Sequence, residues 1–176
     1  MNDATLVRWT TLLLMLAFTR VAVAQDAPNP LHAAWARTKL GATVVHTGNS
    51  KTMGLDTTIE TTTKLQSRAA DRVTLEVLRK VTTLGKTTDE SKVTQDIRST
   101  LPAAEKMTLI ADANEVFLNG NTYRCKVYEN LMQQGEIKLL TRTWLCDEVP
   151  GGVVKIEART EGPIAMNTSI ELKEIK

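Results

Sequence analysis

The sequence predicts a mainly β fold: a single curved antiparallel sheet, a meander of half-barrel shape, with one short N-terminal helix packed on it. Three observations predict it. From Ala42 onward apolar and polar residues alternate with period two. Turn residues punctuate the chain at short intervals. No stretch between strands is long enough for the crossover helix that parallel pairing requires.

Ahead of the domain, residues 1–24 read as a cleavable secretory signal. Arg8 precedes an apolar run from Trp9 to Thr19 containing Leu12, Leu13, Leu14, Met15 and Leu16, and Ala22-Val23-Ala24 offers small residues at cleavage spacing. The run is about half of the roughly 20 apolar residues that span a bilayer. No cysteine follows the cleavage site to carry a lipid, so an exported protein without a membrane anchor is expected, periplasmic or secreted. Residues 25–28 read as a flexible start and 29–176 as one domain, long enough to bury a core.

Asn29 as N-cap and Pro30 at the first helical position open a helix that Gly41 can close. Leu31, Ala34, Trp35 and Thr38 fall on one face of it, so Trp35 is expected to pack against the sheet. Strand boundaries follow from Gly48-Asn49, Ala69-Ala70-Asp71, Gly85, Pro102, Asn119-Gly120, Gly135, Pro150-Gly151-Gly152 and Gly162-Pro163. Between two of them, Leu55, Thr57, Ile59, Thr61, Thr63 and Leu65 share a moderately apolar face, and Asp56, Thr58, Glu60, Thr62, Lys64 and Gln66 share a wet one. The Val149 to Lys155 stretch reads as a tight connection, with a loop displayed at the sheet rim as the alternative.

The hairpin from Thr122 to Glu148 is the most determined part. If Cys125 and Cys146 lie opposite each other, the two-residue loop falls on Gly135-Glu136, with glycine where a type II′ turn wants it. The same register sets Arg124 opposite Asp147, Glu129 opposite Arg142, Leu131 opposite Leu140 and Val127 opposite Trp144. The cysteines then occupy a non-hydrogen-bonded pair with Cα atoms about 4.5 Å apart, and in an oxidising compartment a structural disulfide is expected. Closing a loop of roughly 20 residues, it would contribute about 3 kcal/mol.

Composition argues against most enzymology. Without Arg8, Arg20 and Asp3 of the leader, 22 basic and 20 acidic residues become 20 and 19, a near-neutral chain with no basic cluster for nucleic acid. His32 and His46 are the only histidines, and neither has acidic or cysteine neighbours in sequence to complete a metal site. No G-x-S-x-G elbow, phosphate-cradling glycine loop or C-x-x-C spacing appears, so no catalytic residue, cofactor or metal is expected. A pair among the carboxylates stays open as a hydrolase site. Threonine makes up 22 of the 152 residues after the leader, but with no repeat of fixed period it reads as half-buried sheet surface.

Three stretches, Asn29-Pro30-Leu31 leading to Gly41 and Val44-Val45, then Gly120 with Tyr123-Arg124-Cys125, then Trp144-Leu145 with Asp147 to Lys155, resemble a broad group of bacterial exported proteins. That group is similar in fold to the periplasmic lipoprotein carriers LolA and LolB. The resemblance implies a curved sheet whose concave side receives acyl chains, lined here by Trp35, Val73, Leu75, Val77, Phe117, Val127 and Trp144. The expected function is a non-enzymatic exported binding domain holding a lipophilic ligand or another envelope protein on that face. The alternatives are a structural or interaction protein with a filled core, and the hydrolase.

Overall fold

A computed structural model describes residues 26–163 and 165–176, so the leader lies outside the described residues. The first elements are a two-residue strand β1 (Ala27–Pro28) and helix α1 (Pro30–Arg37). Long strands follow: β2 (Thr43–Thr52), β3 (Leu55–Arg68), β4 (Arg72–Thr83) and β5 (Lys86–Arg98). A short β6 (Thr100–Leu101) and a 3-10 turn at Ala103–Glu105 lead to β7 (Thr108–Leu118), β8 (Asn121–Gln134), β9 (Ile137–Leu145), β10 (Val153–Glu161) and β11 (Met166–Ile175). Mainly β with one small helix is therefore what the chain adopts. Segment 25–28, expected to be flexible, carries β1, which pairs Ala27 with Leu101 and Pro28 with Thr100.

Nine strands form one antiparallel sheet in the order β5-β4-β3-β2-β11-β10-β9-β8-β7. It is two meanders, β2 to β5 and β7 to β11, joined where β11 pairs with β2. The sheet does not close into a barrel, so β5 and β7 are its edges. Both edges are protected from further pairing. Strand β5 alternates charges along Lys86, Asp89, Glu90, Lys92, Asp96 and Arg98, while β7 is broken by register shifts between Leu109 and Ala111 and between Ala111 and Asn114.

The Asn29 carboxamide caps α1 by accepting from the backbone N–H of Leu31 (3.0 Å) and His32 (3.4 Å), and its Nδ2 donates to the Arg98 carbonyl at 2.8 Å. The helix ends at Arg37 with Thr38 as C-cap, three residues before the expected glycine stop. Gly41, at φ +82°, instead turns the chain so that its N–H donates to the Leu65 carbonyl at 3.0 Å.

One strand boundary moves. Gly48-Asn49 lies inside β2, and the β2–β3 turn is Met53-Gly54. Met53 (φ 49°), Leu84 (φ 51°) and Asn119 (φ 52°) each precede a positive-φ glycine in a two-residue hairpin turn. Asparagine tolerates that backbone, whereas leucine and methionine pay for it without gaining burial: Leu84 is 81% and Met53 63% exposed. Leu84→Asn is therefore expected to stabilise the protein by about 0.5–1 kcal/mol, seen as a Tm higher by about 2 °C. An unchanged or lower Tm would contradict the turn assignment.

The core sits under α1. Trp35, Val44, Leu65, Val73, Leu75, Cys125, Cys146, Val149, Val154 and Leu172 form one buried cluster. The β3 face expected to be apolar holds the strand's buried residues, Ile59 and Leu65.

Candidate functional site

The best-determined hairpin has the expected register. Lys126 pairs with Leu145, Val127 with Trp144, Glu129 with Arg142, Leu131 with Leu140 and Gln134 with Ile137, leaving Gly135-Glu136 as the turn. Arg142 Nε donates to Glu129 Oε2 at 2.9 Å. The ladder stops at Leu145, however, because the Cys146 N–H turns away to the Gly152 carbonyl at 2.7 Å. Two expectations fail there. Asp147 pairs with Arg37 at 2.5 Å in place of Arg124. Cys125 and Cys146 are unbonded, buried thiols that lie near enough to act on each other.

Burial first, then the neighbouring Cys146 thiol, push the Cys125 thiol up from 9.0 to about 12. The folded state thus keeps a proton that the unfolded chain gives up near 9, so this contribution to stability is present below that pH and is lost as pH rises toward about 12. Native protein is expected to resist iodoacetamide at pH 8 and to be alkylated only on unfolding. Rapid modification of Cys125 in the native state would contradict its burial.

The Pro150-Gly151-Gly152 stretch is the tight connection that was expected, and it is docked on α1. The Gly151 N–H donates to Thr38 Oγ1 at 2.9 Å, and Thr38 Oγ1 donates to the Ala34 carbonyl at 3.1 Å. A Cβ on Gly151 would lie 2.2 Å from the Trp35 indole, and one on Gly152 2.8 Å from the Ala34 Cβ. Beside this contact is a cavity of about 210 Å³ lined by Ala34, Arg37, Thr38, Lys39, Cys146 and Val149 among others. Its charged lining is partly neutralised by the exposed Arg37–Asp147 pair.

The proposed ligand-lining residues divide. Trp35, Val73 and Leu75 are packed into the core, Val127 is buried, and Val77 and Trp144 are half-buried against the core. Phe117 is 74% exposed. The Asn119-Gly120 turn pairs Phe117 with exposed Thr122 and Val116 with Tyr123, so Val116 and Leu118 pack against the core and Phe117 points away. Val127 and Trp144 are out of step with Tyr128 and Thr143, the β8 and β9 residues that share a face with the rest of the sheet's inner side. The Trp144 Nε1–H donates to Asn114 Oδ1 at 3.1 Å, and Lys155 Nζ lies 5.5 Å from its ring centre.

Beyond the core, the registers carry one face across the whole sheet. Residue by residue it runs from Arg79 through Thr61, His46 and Leu172, and a step lower from Val81 through Ile59, Gly48, Ile170, Ile156 and Thr143 to Tyr128. Its centre is buried: Ser50 Oγ and Thr168 Oγ1 share a hydrogen bond at 2.8 Å, and Ala158, Thr160 and Ile170 are 4–8% exposed. Its flanks on β4 and β8, including Val77, Arg79, Tyr128 and Asn130, are half-buried. The face is thus buried at its centre and half-buried along its flanks, and threonine and aliphatic side chains make up most of it. His46 belongs to the buried centre. Burial pushes its pKa down, so the ring is neutral and its Nε2–H donates to the Val153 carbonyl at 2.9 Å.

Sequence reading missed Arg79. Its signal is the period-two run Val73, Leu75, Val77, Arg79, Val81, where arginine occupies an apolar position.

Fold and site together define an open antiparallel sheet with a helix-capped core and a strip of threonine and aliphatic residues running on across the sheet. No family model matches the chain, and no curated protein does. Among solved structures it is similar to a candidate exported protein of YmcC-like fold from Bacteroides fragilis, at TM-score 0.45 and 10% identity, covering 79% of this chain and 97% of that one. It is also similar to a DUF1329 family protein from Desulfovibrio piger, at TM-score 0.25 and 11% identity, covering 80% and 87%. The likeness to the lipoprotein carriers therefore rests on the sequence motifs alone.

Proposed function

We propose that this chain is an exported, non-enzymatic binding domain that holds an elongated lipophilic molecule on the threonine and aliphatic strip beside its core. The observation that carries this reading is a mismatch of lengths. Helix α1 has eight residues, about 12 Å, whereas β3 and β8 have fourteen, about 46 Å each, so the helix covers one end of the face and leaves the rest without a second layer. The centre of that face is buried by its own side chains, and a ligand would complete the cover over the half-buried flanks at Val77, Arg79, Tyr128 and Asn130. Export agrees with the signal-like leader, and no helix of the described residues is long and apolar enough to cross a membrane.

A filled-core structural protein is the second reading, favoured by the burial of Trp35, Val73, Leu75 and Val127, all 4% exposed or less. Native mass spectrometry of protein recovered from the exporting cell, followed by organic extraction, separates the two. A co-purifying lipophilic molecule whose removal lowers the Tm is the expected result. Protein that is free of lipid as isolated, and whose Tm no added lipid shifts, would overturn the binding reading in favour of the second.

A further inference from the structure

Resting on the binding reading above, we propose that Arg79 anchors the carboxylate head of a fatty acid against β4. Arg79 stands on the binding face between Thr61 of β3 and Ser91 of β5, its register partners, with Val77 and Val81 on either side along β4. Its side chain is half-buried, and among the described residues its Nε is a buried donor without a hydrogen-bond partner. An orphaned donor of this kind destabilises the free protein, and the penalty is removed when an acceptor arrives from outside. The planar guanidinium fork matches a carboxylate by two parallel hydrogen bonds, and the Thr61 and Ser91 hydroxyls flank the same position.

The surroundings narrow the choice of head and tail. Asp89, opposite Val81 and on the same face, acts on Arg79 through space. Its negative charge partly offsets that of Arg79, so a singly charged head is opposed less than a dianion, and the Nε–H is left for it to take. Other nearby acids are already engaged on the other face, Glu60 by Lys173 at 2.7 Å and Glu76 by Lys92 at 2.9 Å. The tail has half-buried Val77 beside Arg79 to lie on, next to the buried aliphatic residues Val81 and Ile59.

The test uses 11-(dansylamino)undecanoic acid and its methyl ester, which share chain and fluorophore and differ in the charge. Delipidated wild-type protein is expected to bind the acid about 10-fold or more tighter than the ester, a difference that shrinks as salt is added. In Arg79→Gln the acid should fall to the affinity of the ester, with ester binding unchanged, and Arg79→Lys should keep part of the preference. Arg79→Gln is expected to melt at or slightly above the wild-type temperature, because the change removes a buried donor that has no partner. If that variant fails to fold, the acid-to-ester ratio of the wild type and its salt dependence decide alone. Equal binding of acid and ester by the wild type, or a ratio that survives Arg79→Gln, would overturn the anchor and leave the binding reading standing. Binding of neither probe would overturn the binding reading and the anchor with it.

Discussion

Gly48→Ala should destabilise the protein by upwards of about 3 kcal/mol, enough to leave much of it unfolded at 37 °C. An added Cβ would lie 2.0 Å from the Ser169 carbonyl oxygen and 2.5 Å from the Ile170 Cα, both backbone atoms of the neighbouring strand β11. A side chain can rotate out of such a clash; a paired backbone moves only by separating the strands. The damage falls where the two meanders are joined, so the unfolding midpoint in urea should drop sharply. A variant that keeps the wild-type midpoint would show that β2 and β11 do not approach as described.

Gly151→Ala is the second large effect, at about 3 kcal/mol, and it has two separable causes. The residue sits at φ +71°, a backbone that L side chains rarely adopt, and its Cβ would lie 2.2 Å from the Trp35 ring. Trp35→Ala alone should cost about 3–5 kcal/mol, because the ring is 4% exposed within the core. In the double variant the clash is gone and the backbone cost remains. The two changes should therefore be less than additive by at least about 1 kcal/mol. Additive costs in denaturant titrations would mean that loop and indole do not touch.

Fold class, helix start and hairpin register were legible because each has a local chemical cause. Asn29-Pro30 writes a cap into two adjacent residues, and Gly135-Glu136 writes a turn that charge and aliphatic pairing across the strands then confirm. Where the reading failed, the cause was nonlocal or was hidden by an unusual residue. Met53 holds a backbone that asparagine usually takes, so Gly48-Asn49 looked like the turn when Gly48 was serving the packing of β2 on β11. Phe117 is large and apolar yet stands on the outward face, because the Asn119-Gly120 turn pairs it with Thr122 and brings Val116 and Leu118 to the core side. Cys146 leaves the strand ladder where its N–H donates to Gly152 in the glycine loop, and that loop packs on Trp35, more than a hundred residues earlier. Arg79 was visible as an interruption in an apolar stripe, but its importance comes from the partner its Nε lacks, which only coordinates reveal.

The central seam also sets a timetable. Ser50 and Thr168, which bond across it, are 118 residues apart, and β11 is the last strand of the sheet to be synthesised. Until then the nascent chain carries two half-sheets, each with its innermost strand bare and inviting capture by other chains. Joining them late requires closing a long loop, a slow step in a fold already dominated by distant pairings. Pieces cut between β5 and β7 should therefore find each other in solution and reassemble along that seam.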